Sequence, residues 1–467
     1  MTTLDKIEPA SLPPRAADAA PVNRLATELA ETLKLSVPLA LTQLGQIAMM
    51  TTDLAFIGRL GSDTVAAAAL GHTVFFVTFT FGMGLVSAVS PLAAQAFGAR
   101  DPRMVRRALR VGLWAALLIA VPVMLLPFRG EAILLALGQS PTASKLAQQY
   151  LFGLAWGILP ALWFIAIRGF MSAVNRPEPI LWITLAAIPA NALLVYPLLY
   201  GKWGFPELGL FGAGLATSLV NLGTFLAGLW FTARRRPFRK YHVLGRIWRI
   251  DWPLMGKLVV IGAPISMSFL LEYGLFGGAG LLMGLISTTA LAAHQIALQI
   301  AAILYMVPFG ISIAATVRVG HAVGRRDSDA VRRAGYVAIM IGVVFMAVMT
   351  LAVILGRFFI AEFFLGERVD ATAALTATLL LIGSTFFIAD GIQAVAAGAL
   401  RGMNDTRVPL LLATLSYWLI GFTLAWMLGF RTSLGAGGVW VGLSVGTVVF
   451  AILLVLRFRI LANRLSQ

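Results

Sequence analysis

The sequence predicts an all-α membrane protein of twelve transmembrane helices in two pseudo-symmetric six-helix lobes, and three observations carry that prediction. First, 59% of the 467 residues are hydrophobic and only 12% are charged, about half the charge of a soluble domain, which leaves too little polar surface to coat a large soluble body. Second, mostly apolar stretches of about 20 residues or more recur along nearly the whole chain, each long enough to cross a bilayer as a helix. Third, the second half of the chain repeats the first.

Residues 1–33 hold five acids and four prolines and lack the apolar segment of a secretion signal. They are expected to form a disordered cytoplasmic tail. Six hydrophobic spans follow near 35–58, 66–96, 105–127, 148–172, 179–200 and 209–232, within an N-terminal lobe of residues 34–232. The next segment, 233–253, breaks the pattern with Ala233-Arg-Arg-Arg-Pro-Phe-Arg-Lys-Tyr-His242 and reads as a basic cytoplasmic linker. Six further spans near 254–286, 291–318, 331–356, 371–400, 408–430 and 436–456 make a C-terminal lobe and short tail over 254–467. Pro38, Pro91, Pro160, Pro189, Pro264 and Pro308 fall within or near spans, where each can bend or locally unwind its helix.

Charge sets the orientation. With the N-terminus inside, only Arg59, Arg129, Lys145, Lys202, Arg357, Arg368 and Arg431 face outward, leaving 29 of the 36 Lys and Arg on the cytoplasmic side. This is the asymmetry of the positive-inside rule. It predicts a bacterial inner-membrane protein with both termini in the cytoplasm. The net charge of +16 then belongs to loops lying near anionic lipid headgroups rather than to nucleic-acid binding.

The repeat is direct. Gly84–Ala108 aligns without a gap on Gly310–Ala334, with identities that include Gly84/Gly310, Gly98/Gly324, Arg100/Arg326 and Asp101/Asp327. Ile167-Arg-Gly-Phe170 echoes Leu400-Arg-Gly-Met403, and Gly212-Ala-Gly214 echoes Gly435-Ala-Gly437. Short apolar stretches after spans 3 and 9, Glu131–Gly138 and Phe359–Gly366, also correspond. Because six is even, both halves enter from the same side, and the pseudo-two-fold axis runs along the membrane normal. Two such lobes around a cleft are the geometry of a transporter that rocks.

Three of the 20 acidic residues fall inside spans: Asp53, Glu272 and Asp390. Each costs roughly 2.5–3.5 kcal/mol at mid-membrane, so each needs a partner, a proton or a water-filled cavity. No Lys or Arg is expected at matching depth, which makes these three the candidate sites for a proton or cation. Asn191 either hydrates an ion or ties two helices together. Gln43 and Gln46, upstream of Asp53, are expected to hydrogen-bond between helices. His294 and Gln295 open span 8; a satisfied histidine near a helix end is the ordinary reading, with a proton relay the alternative. Arg168 and Arg401, at helix ends, read as snorkelling arginines.

Absences narrow the function further. The chain has no cysteine, hence no disulfide and no thiolate metal site. It carries no Walker loop, no His-Glu-x-x-His, no Gly-x-Ser-x-Gly and no dinucleotide fingerprint. An enzyme, an ATP-driven pump, an organic cofactor and a transition-metal site are therefore not expected.

Together these features resemble the multidrug and toxic compound extrusion (MATE) transporters. The resemblance rests on two six-span halves, Ala94-Gln-Ala-Phe-Gly-Ala99, Val317-Arg-Val-Gly320 and Leu400-Arg-Gly-Met-Asn-Asp-Thr-Arg-Val-Pro409, and runs from about residue 33 to 456. Tyr200-Gly-Lys-Trp-Gly-Phe-Pro-Glu-Leu-Gly209 resembles the NorM-type branch in particular. It implies export of cationic, amphipathic small molecules in exchange for H⁺ or Na⁺, by a protein expected to act as a monomer in the lipid bilayer. Under the resemblance, Asp53 matches the family's acid in the first helix. Glu272 and Asp390 match the acidic pair of the C-terminal lobe, where Na⁺ would sit if Na⁺ is used, and Gln295 matches a polar cavity residue. Val195 and Phe386 stand where the family often places oxygen donors, and this favours H⁺, since a carboxylate takes a proton without a shell of oxygens. The alternative is a flippase for lipid-linked sugars, which shares the architecture but should carry a basic cavity.

Overall fold

The computed structural model describes residues 21–366 and 370–465. Twelve spans are present among them. In chain order they are span 1 (Pro21–Gly58), span 2 (Ser62–Gly98), span 3 (Pro102–Phe128), span 4 (Pro141–Ala155 with Ile158–Ala173), span 5 (Glu178–Tyr200) and span 6 (Leu210–Arg234). Then come span 7 (Trp252–Ile286), span 8 (Thr288–Gly324), span 9 (Ser328–Leu365), span 10 (Ala371–Gly402), span 11 (Arg407–Phe430) and span 12 (Ala436–Arg464). Eleven are long and apolar enough to cross a membrane by composition alone, counting the bent span 4 as one. Span 1 is the exception, because Thr42, Gln43, Gln46, Thr51, Thr52 and Asp53 dilute its apolar run.

The expected disordered tail is corrected at its inner end. Residues 21–33 continue span 1 as helix, so span 1 has 38 residues. The reason is local: Leu25-Ala-Thr-Glu-Leu-Ala-Glu31 is rich in strong helix formers, and Arg318 of span 8 clamps Glu28 with two hydrogen bonds of 2.9 Å. Residues 1–20 and Arg368 lie outside the described residues.

Proline marks where the two halves differ. Span 2 breaks at residues 87–88, where Pro91 has no N–H to offer the Ser87 carbonyl. Span 4 bends by 46° around Gly157, next to the Trp156 carbonyl that Pro160 leaves unserved. Their counterparts, spans 8 and 10, lack those prolines and run unbroken. Likewise Pro127 precedes the end of span 3 at Phe128, and Gly130–Ala136 forms a separate short helix. The matching stretch after span 9 was expected to be separate too, yet it simply extends the helix to Leu365. Span 11 is π-helical over Thr414–Phe422, a local widening that is frequent at functional sites.

One core holds Leu109, Ile165 and Phe170 of the first lobe and takes in Leu258, Ile261 and Ile265 of span 7, and a second holds Phe386, Phe387, Trp440 and Phe458. Between the lobes the packing is pseudo-symmetric. Gly98 lies against the His321 carbonyl, and Gly324 lies against the Gln95 carbonyl; a methyl group on either glycine would sit 2.1–2.2 Å from that oxygen. The shift of 226 positions that aligns Gly84 with Gly310 carries Gly98 onto Gly324 and Gln95 onto His321, so each contact is the counterpart of the other. Small residues allow this approach where lipid supplies no hydrophobic drive between helices.

The lobes meet only toward the end that carries the basic linker. There Ser266 donates to the Phe81 carbonyl at 2.6 Å, Gln95 to the Gly402 carbonyl at 2.8 Å, and Arg107 to Asp251 at 2.7 Å. The Phe76–Tyr273 ring contact, at 5.0 Å between centroids, is the last toward the opposite end. Beyond it no hydrogen bond, ion pair or ring contact joins the lobes among the described residues. The cleft therefore opens away from the linker.

Candidate functional site

The three embedded acids fall into two separate sites, one per lobe. In the N-terminal lobe Asp53 is 7% exposed on the face of span 1 that packs against span 5. The Asn191 amide nitrogen donates to one of its carboxylate oxygens. The Thr217 hydroxyl, from span 6, lies 3.1 Å from the other and also within reach of the Ala213 carbonyl at 3.2 Å, so one proton is shared between two acceptors. The side-chain oxygen of Asn191 is buried and has no partner, an uncompensated acceptor of the kind a water or small cation fills. Val195, one turn on, is fully buried and contributes no oxygen.

In the C-terminal lobe a single side chain brings the two acids together. Gln393 donates one amide proton to Asp390 at 2.9 Å and the other to Glu272 at 3.2 Å. Asp390 and Gln393 are three apart on span 10 and thus share a face, while Glu272 comes across from span 7. A small cavity of about 30 Å³ is lined by Glu272 and Gln393, Tyr305 and Tyr417, and Arg401 and Asp405. The Tyr417 hydroxyl is buried without a partner. Next to it Trp418 donates to the Leu271 carbonyl at 3.2 Å, which fixes the backbone beside Glu272 to the π-helical segment of span 11.

The remaining candidates are scattered. His294 is fully buried and its Nδ1 accepts the Trp440 indole proton at 3.1 Å, while Nε2 has no partner. Gln295, its neighbour, is exposed. Gln43 is buried with its amide nitrogen unpartnered, so that nitrogen does not make the expected bond between helices, and Gln46 is exposed. Phe386 is packed edge-on to Trp440, 5.5 Å between centroids, within the lobe's aromatic core. Among the described residues no group of three or more metal-ligating side chains gathers.

Two contributors escaped the sequence reading. Thr217 and Gln393 are ordinary residue types, and only Gln393, three beyond Asp390, gave a readable signal. A third point is a correction: Arg401 does not snorkel to the interface but lines the same cavity as Glu272. Arg401 is half-buried, and Arg168, its counterpart, is buried.

With the sites placed, the comparisons with known proteins can be read onto them. The MatE family model matches twice, over residues 38–197 and 264–427, one copy per lobe. The chain belongs to the MatE family. The first match contains Asp53 and Asn191, and the second contains Glu272, Asp390, Gln393 and Arg401. A probable multidrug resistance protein NorM of Bradyrhizobium diazoefficiens is 65% identical over 467 residues, covering 100% of both chains. Another, from Rhodopseudomonas palustris, is 62% identical over 92% of each. In fold the chain is similar to the crystal structure of a eukaryotic MATE transporter, with a TM-score of 0.85, 21% identity, and 94% and 98% of the two chains covered. MatE proteins are transporters, the class that the sequence predicts.

Proposed function

We propose that the protein is a secondary active antiporter that exports cationic, amphipathic small molecules in exchange for H⁺ or Na⁺. The observation that carries this reading is one carboxylate site in each lobe, beside a cleft closed at the basic end and open at the other. Under the positive-inside rule the basic end is cytoplasmic, so the conformation faces outward in a bacterial inner membrane. The two NorM relatives are named probable multidrug resistance proteins, and export of many drugs is how a transporter would confer that resistance.

The chemistry follows from competition. An anionic carboxylate attracts a cationic substrate, and a proton or Na⁺ at the same carboxylate cancels that attraction. Ion entry from outside thus expels the substrate, and substrate entry from the cytoplasm expels the ion. Each ligand biases the lobes only by its differential affinity for the two orientations. The lobes rock about the seam of spans 1, 2, 7 and 8. H⁺ is the favoured ion, because Asn191 donates directly to Asp53 and Gln393 to both acids of the other site, so these contacts surround carboxylates with donors rather than with oxygens. The test is efflux of a cationic dye from proteoliposomes under separately imposed H⁺ and Na⁺ gradients. Efflux that responds to neither gradient would sink the reading.

A further inference from the structure

The acid pair of the C-terminal lobe has a cation within reach that it does not use in this conformation. Arg401 sits eleven residues after Asp390 on span 10, ~16 Å along the axis, with its side chain lining the cavity that holds Glu272. Its guanidinium lies over the Phe269 ring, 5.0 Å from the centroid. Phe269 precedes Glu272 by three residues on span 7, so the ring that carries the cation is set about one helical turn, ~4.5 Å of backbone rise, from the residue that carries the carboxylate. The ion pairs among the described residues are Arg107–Asp251, Arg318–Glu28 and Arg457–Asp405. Arg401 belongs to none of them. Asp405, the other acid on the cavity wall, is already held by Arg457 at 2.8 Å.

We propose that Arg401 is a tethered counter-cation for the Glu272–Asp390 site, replacing the coupling ion once it has left. The proposal rests on the reading of that pair as a coupling-ion site. Two carboxylates left bare in a low-dielectric interior are strongly disfavoured, and the lobe must pass through such a state after its ion is released to the cytoplasm. A guanidinium one turn away, held only by an aromatic face, can leave that face for an ion pair, because the stacking is worth less than a desolvated charge pair. The returning coupling ion then competes with Arg401 and pushes it back onto Phe269. Facing this exchange are Gln393 from span 10, Tyr305 from span 8 and Tyr417 from span 11, all neutral hydrogen-bonding groups, with Asp405 neutralised by Arg457. The cavity lies within one lobe, so the exchange needs no contribution from the cleft.

The experiment is equilibrium binding of ethidium, a cationic dye, to the purified full-length protein at rising H⁺ and, separately, rising Na⁺. The ion concentration at which the dye Kd begins to climb reports the affinity of the unliganded protein for the ion, whatever the dye affinity itself. Arg401→Gln is expected to move that point to an ion concentration at least ~3-fold lower, since the internal competitor is gone, and Arg401→Lys to leave it within ~2-fold of wild type. Arg401→Met gives the same reading if the glutamine variant does not fold. Glu272→Gln, measured alongside, should abolish the climb at this site. If Glu272→Gln keeps the wild-type profile, the pair is not the coupling site, and the counter-cation falls with it. If Glu272→Gln loses the profile but folded Arg401→Gln retains it unshifted, the counter-cation alone is overturned.

Discussion

Gln95 and His321 occupy equivalent places in the two halves, and each crosses the seam to a backbone carbonyl of the other lobe. Gln95 donates to Gly402 at 2.8 Å and accepts from Asn404 at 2.9 Å; His321 Nε2 bonds the Ala173 carbonyl at 2.6 Å. The two bonds sit on either side of the pseudo-two-fold axis, at the end where the lobes touch. They latch the cleft shut on that side.

Removing the latch should shift the lobes toward the opposite orientation. A buried neutral hydrogen bond contributes about 1 kcal/mol net, so losing all three should move the equilibrium by roughly 100-fold. The chain has no cysteine, which makes spin labelling direct. Labels at Leu137 and Leu285, exposed positions in different lobes near the open end, should show a shorter distance in the Gln95→Ala, His321→Ala double variant. An unchanged distance distribution means the bonds follow closure without holding it.

Gln393 is the link between Glu272 and Asp390, and its role separates hydrogen bonding from charge. Gln393→Leu keeps the volume approximately and removes both donors, each worth about 1.5–3 kcal/mol when the acceptor is ionised. Coupled efflux is expected to fall at least ~10-fold, with Gln393→Asn recovering little because its side chain is one carbon short of bridging the two acids. Glu272→Gln and Asp390→Asn should each abolish coupled efflux with membrane expression near wild type. Full gradient-driven efflux in Gln393→Leu would leave the bridge without a function.

How much of this was readable follows from what each residue does to its surroundings. Twelve spans are visible as apolar runs because lipid demands them, and acids inside such runs stand out at once. Span boundaries are less visible, since ordinary amphipathic helix such as residues 21–33 looks like any polar tail until Arg318 meets Glu28. The breaks at Pro91 and Pro160 follow from missing N–H groups, but proline also occurs in spans that stay continuous, as Pro308 does in span 8. Site partners are hardest. Thr217 is one of many threonines, most of which simply bond the carbonyl one turn back, and only the fold places it beside Asp53. Arg401 was misread because a basic residue in the last turn ordinarily reaches for headgroups, whereas this one has an internal cavity to fill.

The Glu28–Arg318 pair ties the start of span 1 to span 8, on opposite sides of the seam, with side chains only 8% and 12% exposed. Breaking one side of a buried pair leaves an uncompensated charge and costs about 3–5 kcal/mol. Glu28→Gln is therefore expected to lower the melting temperature of the purified protein, while Glu28→Leu with Arg318→Met recovers most of the loss. If the double variant is as unstable as the single ones, the pair contributes specific attraction beyond neutralising each partner.

The oxygen count around Asp53 decides what the N-terminal site can hold. Its carboxylate receives the Asn191 amide and shares the Thr217 hydroxyl proton, and a donor aimed at a carboxylate oxygen competes with a hard cation for the same lone pairs. Asn191 offers one free oxygen and Val195 none. A proton needs only the carboxylate. Asp53→Asn should accordingly cut efflux driven by a proton gradient at least ~10-fold, whereas Thr217→Val, which removes one oxygen and one donor of near-identical shape, should leave it within ~3-fold. A Na⁺ gradient at equal pH on both sides should drive no more efflux than K⁺ in wild type. If Na⁺ does drive it and Thr217→Val removes that response while sparing the proton-driven one, the Thr217 hydroxyl is an ion ligand. The site would then bind Na⁺ through Asp53, Thr217 and the free oxygen of a rotated Asn191.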